Sequence, residues 1–287
     1  MDNTRQIREY LAALEHMKKF FNRLLEEEKA TLSGPASERE KIAELTELRM
    51  LAKSDLWPAA VPKELISDTE TQNARAMGIL QTMDVSLSGK KFLDFGCGDG
   101  YTVGVAKEVF GANSFGYDIK NYGWDNANIT DNLEIVAKNG PYDVILLFDV
   151  LDHSSNPEDI LKECKLLLSG NGKIFVRVHP WFSRSGTHIY KELNKAYLQL
   201  VFDNAELATL GVTQENVNKI TSPEVYKNWI KSAELTIASE KTIRQNIELF
   251  FTHNPAILRR IKSNFANEFP DFPRNMLEIQ FIDLTLI

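Results

Sequence analysis

Apolar residues follow two regimes along this chain. Up to about residue 55 they recur three and four apart. Ile7, Tyr10, Leu14, Met17, Phe21 and Leu24 form a heptad seam, widened by Leu11, Phe20 and Leu25. Ser33-Gly34-Pro35 interrupts the seam, and after Ser37 the residues Ile42, Leu45, Leu48 and Leu51 resume on one helical face. The pattern predicts an α-helical, coiled-coil-like hairpin over residues 1–56. It either packs on the rest of the chain, self-associates into a homo-oligomer, or docks a protein partner. Residues 57–83 read as a linker and lid segment, because each proline in Trp57-Pro58-Ala59-Ala60-Val61-Pro62 biases its predecessor away from helix. A short helix is expected over 74–83, with Trp57 and Arg75 as lid residues or as plain packing and ion-pairing groups.

From residue 84 the pattern changes to short continuous apolar runs separated by helical faces, as in an α/β domain with a buried parallel sheet. Strands are expected before Gly96, at 113–117, at 142–148 and at 173–178. The helical faces between them carry Val103, Ala106, Val109 and Phe110, then Ile160, Leu161, Cys164, Leu167 and Leu168 up to Gly170. A helix beginning at Thr221-Ser222-Pro223-Glu224 carries Val225, Trp229 and Ile230, and 235–243 reads as a further strand. In 276–287 the alternation Leu277, Ile279, Phe281 slips phase to Ile282, Leu284, Leu286, which predicts a β-bulge or burial on both faces. Two insertions, about 187–220 and 252–273, are too long to be structureless. The first shows a helical face of Tyr190, Leu193, Tyr197, Leu200 and Val201, expected to wall a pocket. The second places Arg259, Arg260 and Lys262 along the edge of an amphipathic helix, expected to be a solvated face.

At 287 residues the chain can bury a full core. Its 33 Lys and Arg against 40 Asp and Glu give a net charge of −7, which argues against holding nucleic acid through bulk charge. The two cysteines, Cys97 and Cys164, suggest neither a disulfide framework nor a zinc centre, and no metal is expected. No apolar run has membrane-spanning length and the polar N-terminus is no signal peptide, so a cytoplasmic location without a membrane partner is the expectation.

The candidate chemistry starts at Leu93-Asp94-Phe95-Gly96-Cys97-Gly98-Asp99-Gly100, where a strand end runs through three alternate glycines into a helix. Such a turn brings backbone and a helix N-terminus close to a ligand. The dinucleotide fingerprint G-x-G-x-x-G fails in both registers, since Tyr101 and Val103 occupy the third glycine position. What stands there is D-x-G-x-G-x-G. Further on, Asp149-Val150-Leu151-Asp152-His153 with Asn156-Pro157 is similar to the D-V-L-E-H signature of many small-molecule enzymes. In these motifs, and in element order over about residues 70–287, the chain resembles the class I S-adenosylmethionine-dependent methyltransferases. The resemblance implies a Rossmann-like, mostly parallel sheet whose last strand is antiparallel beside the fifth. It also implies S-adenosylmethionine as cofactor. Asp94 is then expected near the methionine amino group, with Gly96, Cys97, Gly98 and Gly100 passing under the cofactor. Asp118, followed by Ile119, becomes the ribose anchor rather than a cap or a solvated acid. An adenine contact is expected among Asn128, Ile129, Thr130 and Asp131, and Asp149 and Val150 complete the set.

Acceptor chemistry belongs at the carboxyl ends of the strands. The loop after the fifth strand, from Arg177 to Tyr190, concentrates two arginines, two histidines and three aromatics in a chain of only five histidines. Methyl transfer is an in-line displacement that mainly requires alignment, and an oxygen or carbon acceptor must also lose a proton. His179, His188 and His153 are the candidate bases, set against packing for His153 and turn formation for His179. Arg177, Trp181, Arg184 and Tyr190 are the candidate acceptor-binding residues, the arginines orienting an acidic group. The N-P-P-Y type motif of amine methylation is absent, since Phe148-Asp149-Val150-Leu151 stands there. This leaves an oxygen or carbon acceptor on a small molecule, sugar or lipid-like compound, with a protein acceptor still open. The alternatives are a non-catalytic protein of the same fold that assembles through its N-terminal helices, and, weakened by Tyr101, a nicotinamide-dependent oxidoreductase.

Overall fold

A computed structural model describes residues 38–62, 69–186, 188–213, 220, 222–265 and 274–287. The chain divides into two compact units, Met1–Leu51 and Ala52–Ile287. Of the first, the described part is a helix, α1 (Glu38–Ala52); the heptad seam from Ile7 to Leu24 lies outside the described residues.

The second unit is built on a seven-stranded sheet of order β3-β2-β1-β4-β5-β7-β6. Its strands are β1 (Lys91–Phe95), β2 (Asn113–Tyr117), β3 (Ile129–Thr130), β4 (Tyr142–Phe148), β5 (Leu168–Val178), β6 (Ile237–Arg244) and β7 (Ile279–Leu286). The first five run parallel, and β7 is antiparallel to both β5 and β6. Successive side chains of a strand point to opposite faces, so the continuous runs divide between two apolar layers. Leu93, Ile145, Leu147, Ile174 and Val176 pack with Leu161 and Cys164 of the helix Pro157–Leu167 on one face. Phe92, Val144, Leu146 and Phe175 pack on the other with Ile79 and Leu80 of the helix Thr69–Thr82 and Ala106 of the helix Tyr101–Glu108. Burial on both faces is why these strands lack the alternation of a half-exposed sheet.

Several elements depart from the periodicity. The helix Tyr101–Glu108 buries Val103 and Ala106 but ends before Val109, which is exposed. The helix Pro157–Leu167 stops at Leu167 instead of running to Gly170. Leu168 takes an extended backbone and pairs with Tyr142, after which a register shift brings Lys173 opposite Val144. The face over 187–202 does not form one helix: a 3-10 turn (His188–Lys191) and the short helix Leu198–Val201 are separated by Tyr197, whose φ of 60° is left-handed and incompatible with a continuing helix. Its hydroxyl donates to the Leu277 carbonyl at 3.1 Å, an interaction local periodicity does not show. Arg260, expected on a solvated edge, turns inward to Glu206 at 3.3 Å and to the Val201 carbonyl. The phase slip in the last strand is a bulge, where pairing jumps from Ile243–Phe281 to Arg244–Ile279. Trp57 is buried and donates to the Ala196 carbonyl at 2.9 Å, so it packs.

Leu147, next to the last residue of β4, is fully buried. Leu147→Ala is expected to cost about 2–5 kcal/mol and, at roughly 2–4 °C per kcal/mol, to lower Tm by about 4–20 °C in a thermal melt followed by circular dichroism.

Candidate active site

The carboxyl ends of β1, β2 and β4 meet at the glycine loop. Gly96, Gly98 and Gly100 all have positive φ (91°, 51° and 81°), backbone that side-chain-bearing residues rarely adopt. A Cβ on Gly96 would lie 2.4 Å from Val150 Cγ2, and one on Gly100 2.4 Å from Ile129 Cδ1. At Gly98 a Cβ would meet nothing within 4 Å. The loop is therefore clamped by side chains at both ends and open in its middle. Its amides are turned inward: those of Gly96 and Cys97 donate to the Tyr117 carbonyl, and that of Gly98 to Asp118 Oδ2 at 2.9 Å. Burial pushes the Cys97 thiol up, helped by Asp94 and Asp118, so it is a packing group and not a nucleophile.

Asp94 is 3% exposed behind this loop. Burial is the main force raising its carboxyl to about 7, opposed by a hydrogen bond from Thr102 and reinforced by Asp118. Asp118 also accepts from the Lys120 amide at 2.9 Å, leaving each carboxylate oxygen with further acceptor capacity. Ile119 is 88% exposed next to it. Ile129 packs with Cys97, Val103 and Trp124, whose indole donates to the Gly98 carbonyl at 2.8 Å. Nothing in the sequence pattern marks Trp124, which stands in a polar loop. Of the proposed adenine-side residues, Thr130 Oγ1 accepts from the Asn132 amide, Asn128 donates to the Ser114 carbonyl and Asp131 accepts from Asn121. An open glycine cradle, a carboxylate at the β2 end and exposed apolar surface beside it fit an adenosine-bearing cofactor.

A second group forms where β4 and β5 end. Their register pairs Phe148 with Arg177, so Asp149 emerges beside Val178-His179. Asp149 has a φ of 56° and its amide donates to the Arg177 carbonyl. His179 Nδ1 lies 2.6 Å from Asp149 Oδ1, while Arg75 reaches Asp149 Oδ2 at 3.4 Å. Asp152, in the turn that follows, accepts from the His179 amide at 3.4 Å and lies 3.2 Å from His153 Nε2. Burial pulls the His179 pKa down, but the charge and hydrogen bond of Asp149, with Asp152 behind, outweigh it and Arg177, leaving it raised. Burial raises Tyr190 to about 12, so its hydroxyl stays protonated.

All of these groups but the buried Asp152 face a cavity of about 210 Å³ whose lining includes Arg75, Asp149, His153, His179, Arg184 and Tyr190. Arg177 also lines it, yet its fork is engaged with Asp283 at 2.5 and 2.6 Å, and its guanidinium stacks 3.8 Å from the Phe281 centroid. Arg184 spends Nε and Nη2 on the Ala59 carbonyl. Trp181 does not join them: it packs edge-on against Phe182 and Phe265. The side chain of His188 lies outside the described residues. Asp152 and Arg75 complete the group, and neither was singled out as a catalytic or acceptor-binding residue, because their approach depends on strand register and on a helix about 70 residues upstream.

Comparison with known proteins adds the following. A family model described as a methyltransferase domain matches residues 68–240. The ubiquinone biosynthesis O-methyltransferase of Vibrio atlanticus (strain LGP32) is 26% identical over 167 residues, covering 47% of this chain and 70% of that protein. That of Coxiella burnetii (strain RSA 493) is 27% identical over 161 residues, covering 50% and 64%. That of Marinobacter nauticus is 31% identical over 109 residues, covering 32% and 45%. The match thus spans from under half to about two thirds of these relatives' length. Among solved structures, a SAM-dependent methyltransferase from Archaeoglobus fulgidus aligns with TM-score 0.49 at 15% identity, over 78% of this chain and 96% of that one.

The clamped and open glycines separate in stability. Gly96→Ala, forced against the stiff β-branched Val150, is expected to lower Tm clearly more than Gly98→Ala, which carries only a left-handed backbone cost of about 1–2 kcal/mol. Paired thermal melts check the order.

Proposed function

The chain belongs to the methyltransferase-domain family, and we propose that it is a class I S-adenosylmethionine-dependent enzyme that methylates an oxygen of a small, polar acceptor held in the cavity at the ends of β4 and β5. The observation carrying this reading is that one short loop builds both sites: Val150 closes on Gly96 of the glycine turn while the preceding Asp149 stands in the cavity wall. Donor and acceptor bound there would lie within reach of each other, which is most of what the displacement requires.

Bound S-adenosylmethionine supplies a methyl group on a sulfonium carrying good leaving character. In this reading Asp94 faces its ammonium, Asp118 accepts the ribose hydroxyls, Gly98 leaves room for the close approach, and Ile119, Ile129 and Thr130 border the adenine. The acceptor oxygen is activated at the wall formed by Asp149, His153 and His179, with Asp152 buried behind the two histidines and the protonated Tyr190 as a hydrogen-bond donor. Engagement of Arg177 with Asp283 and of Arg184 with Ala59 favours a neutral hydroxyl compound, such as a polyol or phenol, over an acid. That the similar proteins of Vibrio atlanticus, Coxiella burnetii and Marinobacter nauticus are O-methyltransferases supports the same atom.

Titration calorimetry of the full chain is expected to give micromolar binding of S-adenosylmethionine, weakened at least tenfold by Asp118→Ala. A screen of hydroxyl acceptors is expected to find turnover that Asp149→Asn lowers by roughly 10²-fold or more; turnover confined to amines would refute the oxygen reading. Since a nearby ammonium favours the ionised form of Asp94, binding lowers its pKa from about 7. The complex therefore releases a proton, and affinity rises with pH up to about 7 and then levels. Calorimetry at pH 6 and pH 8, in buffers of differing ionisation heat, checks both sign and proton count.

A further inference from the structure

We infer that the chain holds a second ligand site, apart from the cofactor and acceptor sites, for a small zwitterion with an apolar body, the class to which the apolar amino acids belong. The site is a cavity of about 330 Å³ between the sheet and the end of the helix Thr69–Thr82. Strand alternation builds its floor. Leu146 and Phe148 of β4 lie opposite Phe175 and Arg177 of β5, so all four point to the same face. Ile79 of the helix and Met83, just beyond it, supply the facing apolar wall. Phe148 and Arg177 also line the acceptor cavity, so they stand between the two.

The charges of this cavity are of two kinds. Register places Arg177 opposite Asp283 and Asp283 opposite Lys241, a row of three across β5, β7 and β6. Arg177 takes both oxygens of Asp283, at 2.5 and 2.6 Å, so these two neutralise each other. Lys241, at the end of the row, is exposed, and its ammonium has no hydrogen bond or ion pair among the described residues. Asp84, two residues past the helix, is likewise exposed, and its carboxylate is likewise unpaired among the described residues. The two line one cavity yet stand beyond ion-pairing distance of each other. A plain anion entering there meets Asp84 and a plain cation meets Lys241, whereas a ligand carrying both charges answers both.

Depth and rim then divide the work. Leu146 and Phe175 are buried in the floor, while Lys241 and Asp84 are exposed at the rim. An apolar body placed on the floor supplies most of the affinity, and the charges supply the selection, because exposed ion pairs are individually weak. The volume is at the lower end for small-molecule sites, which suits a ligand of amino-acid size.

The test needs no methyl acceptor. The full chain is titrated by ligand-detected NMR, with and without S-adenosylmethionine, using three probes of one skeleton: L-phenylalanine carries both charges, phenylpropionate lacks the ammonium and phenylethylamine lacks the carboxylate. L-phenylalanine is expected to bind tightest, with a Kd at or below about 1 mM, and no less tightly when the cofactor is present. Lys241→Ala is expected to weaken L-phenylalanine and phenylpropionate about two- to fivefold and to spare phenylethylamine. Asp84→Asn is expected to weaken L-phenylalanine and phenylethylamine by a similar factor and to spare phenylpropionate. Ser239→Trp, which places a large side chain in the cavity from the edge strand β6, is expected to abolish binding of all three. Should that variant not fold, the pattern of the two charge variants decides. No saturable binding of L-phenylalanine, equal affinity for the three probes, competition by S-adenosylmethionine, or binding that survives a folded Ser239→Trp overturns the site.

Discussion

Two missing methyl groups hold the carboxyl edge of this sheet together. At Gly96 and Gly100 the β1 loop passes so close to Val150 and Ile129 that a Cβ would sit 2.4 Å from either. That approach brings the ends of β1, β3 and β4 into one surface, and the amides it frees turn onto Tyr117 and Asp118 at the end of β2. The backbone geometry is left-handed at all three glycines, so a side chain would be resisted by sterics and by φ together. The open middle of the loop at Gly98 is the counterpart of its clamped ends, and it is there that a cofactor has room.

Beside this apolar clamp stands a polar one. Parallel pairing of β4 and β5 places Asp149 and His179 side by side, and one turn later Asp152 comes under the same histidine. The carboxylates raise the His179 pKa against its burial, while the Arg177–Asp283 pair, stacked on Phe281, holds the adjacent wall. Low polarisability around such groups strengthens each pairing and raises the cost of any group left unpaired. Asp152 Oδ1 is the place where that cost is visible.

Much of the fold was legible along the chain. The parallel strands show as continuous apolar runs because burial on both faces removes the need for alternation, and the bulge in β7 shows as a phase slip because a strand's side-chain period is two. The glycine motif and the acid at the end of β2 are short-range signals, readable because covalent spacing sets their geometry. In the insertion the apolar spacing from Tyr190 to Val201 is helical, yet the left-handed Tyr197, tied to Leu277 some 80 residues away, divides it into a 3-10 turn and a short helix.

The polar wall is of another kind. Asp149, Asp152, His153 and His179 occur in two short stretches, yet only strand register makes them neighbours. The arginines that look available for an acidic acceptor are engaged by Asp283 and Ala59, and Trp181 is drawn away to Phe265. Trp124 reaches the Gly98 carbonyl from a loop with no periodicity at all. Patterns of period two and 3.6 and motifs a few residues long were enough for the class of fold and the kind of cofactor, because those follow from local backbone geometry and burial. Which charges face the cavity and which are neutralised depended on contacts between residues tens to a hundred positions apart, and no local pattern encodes the distance between them.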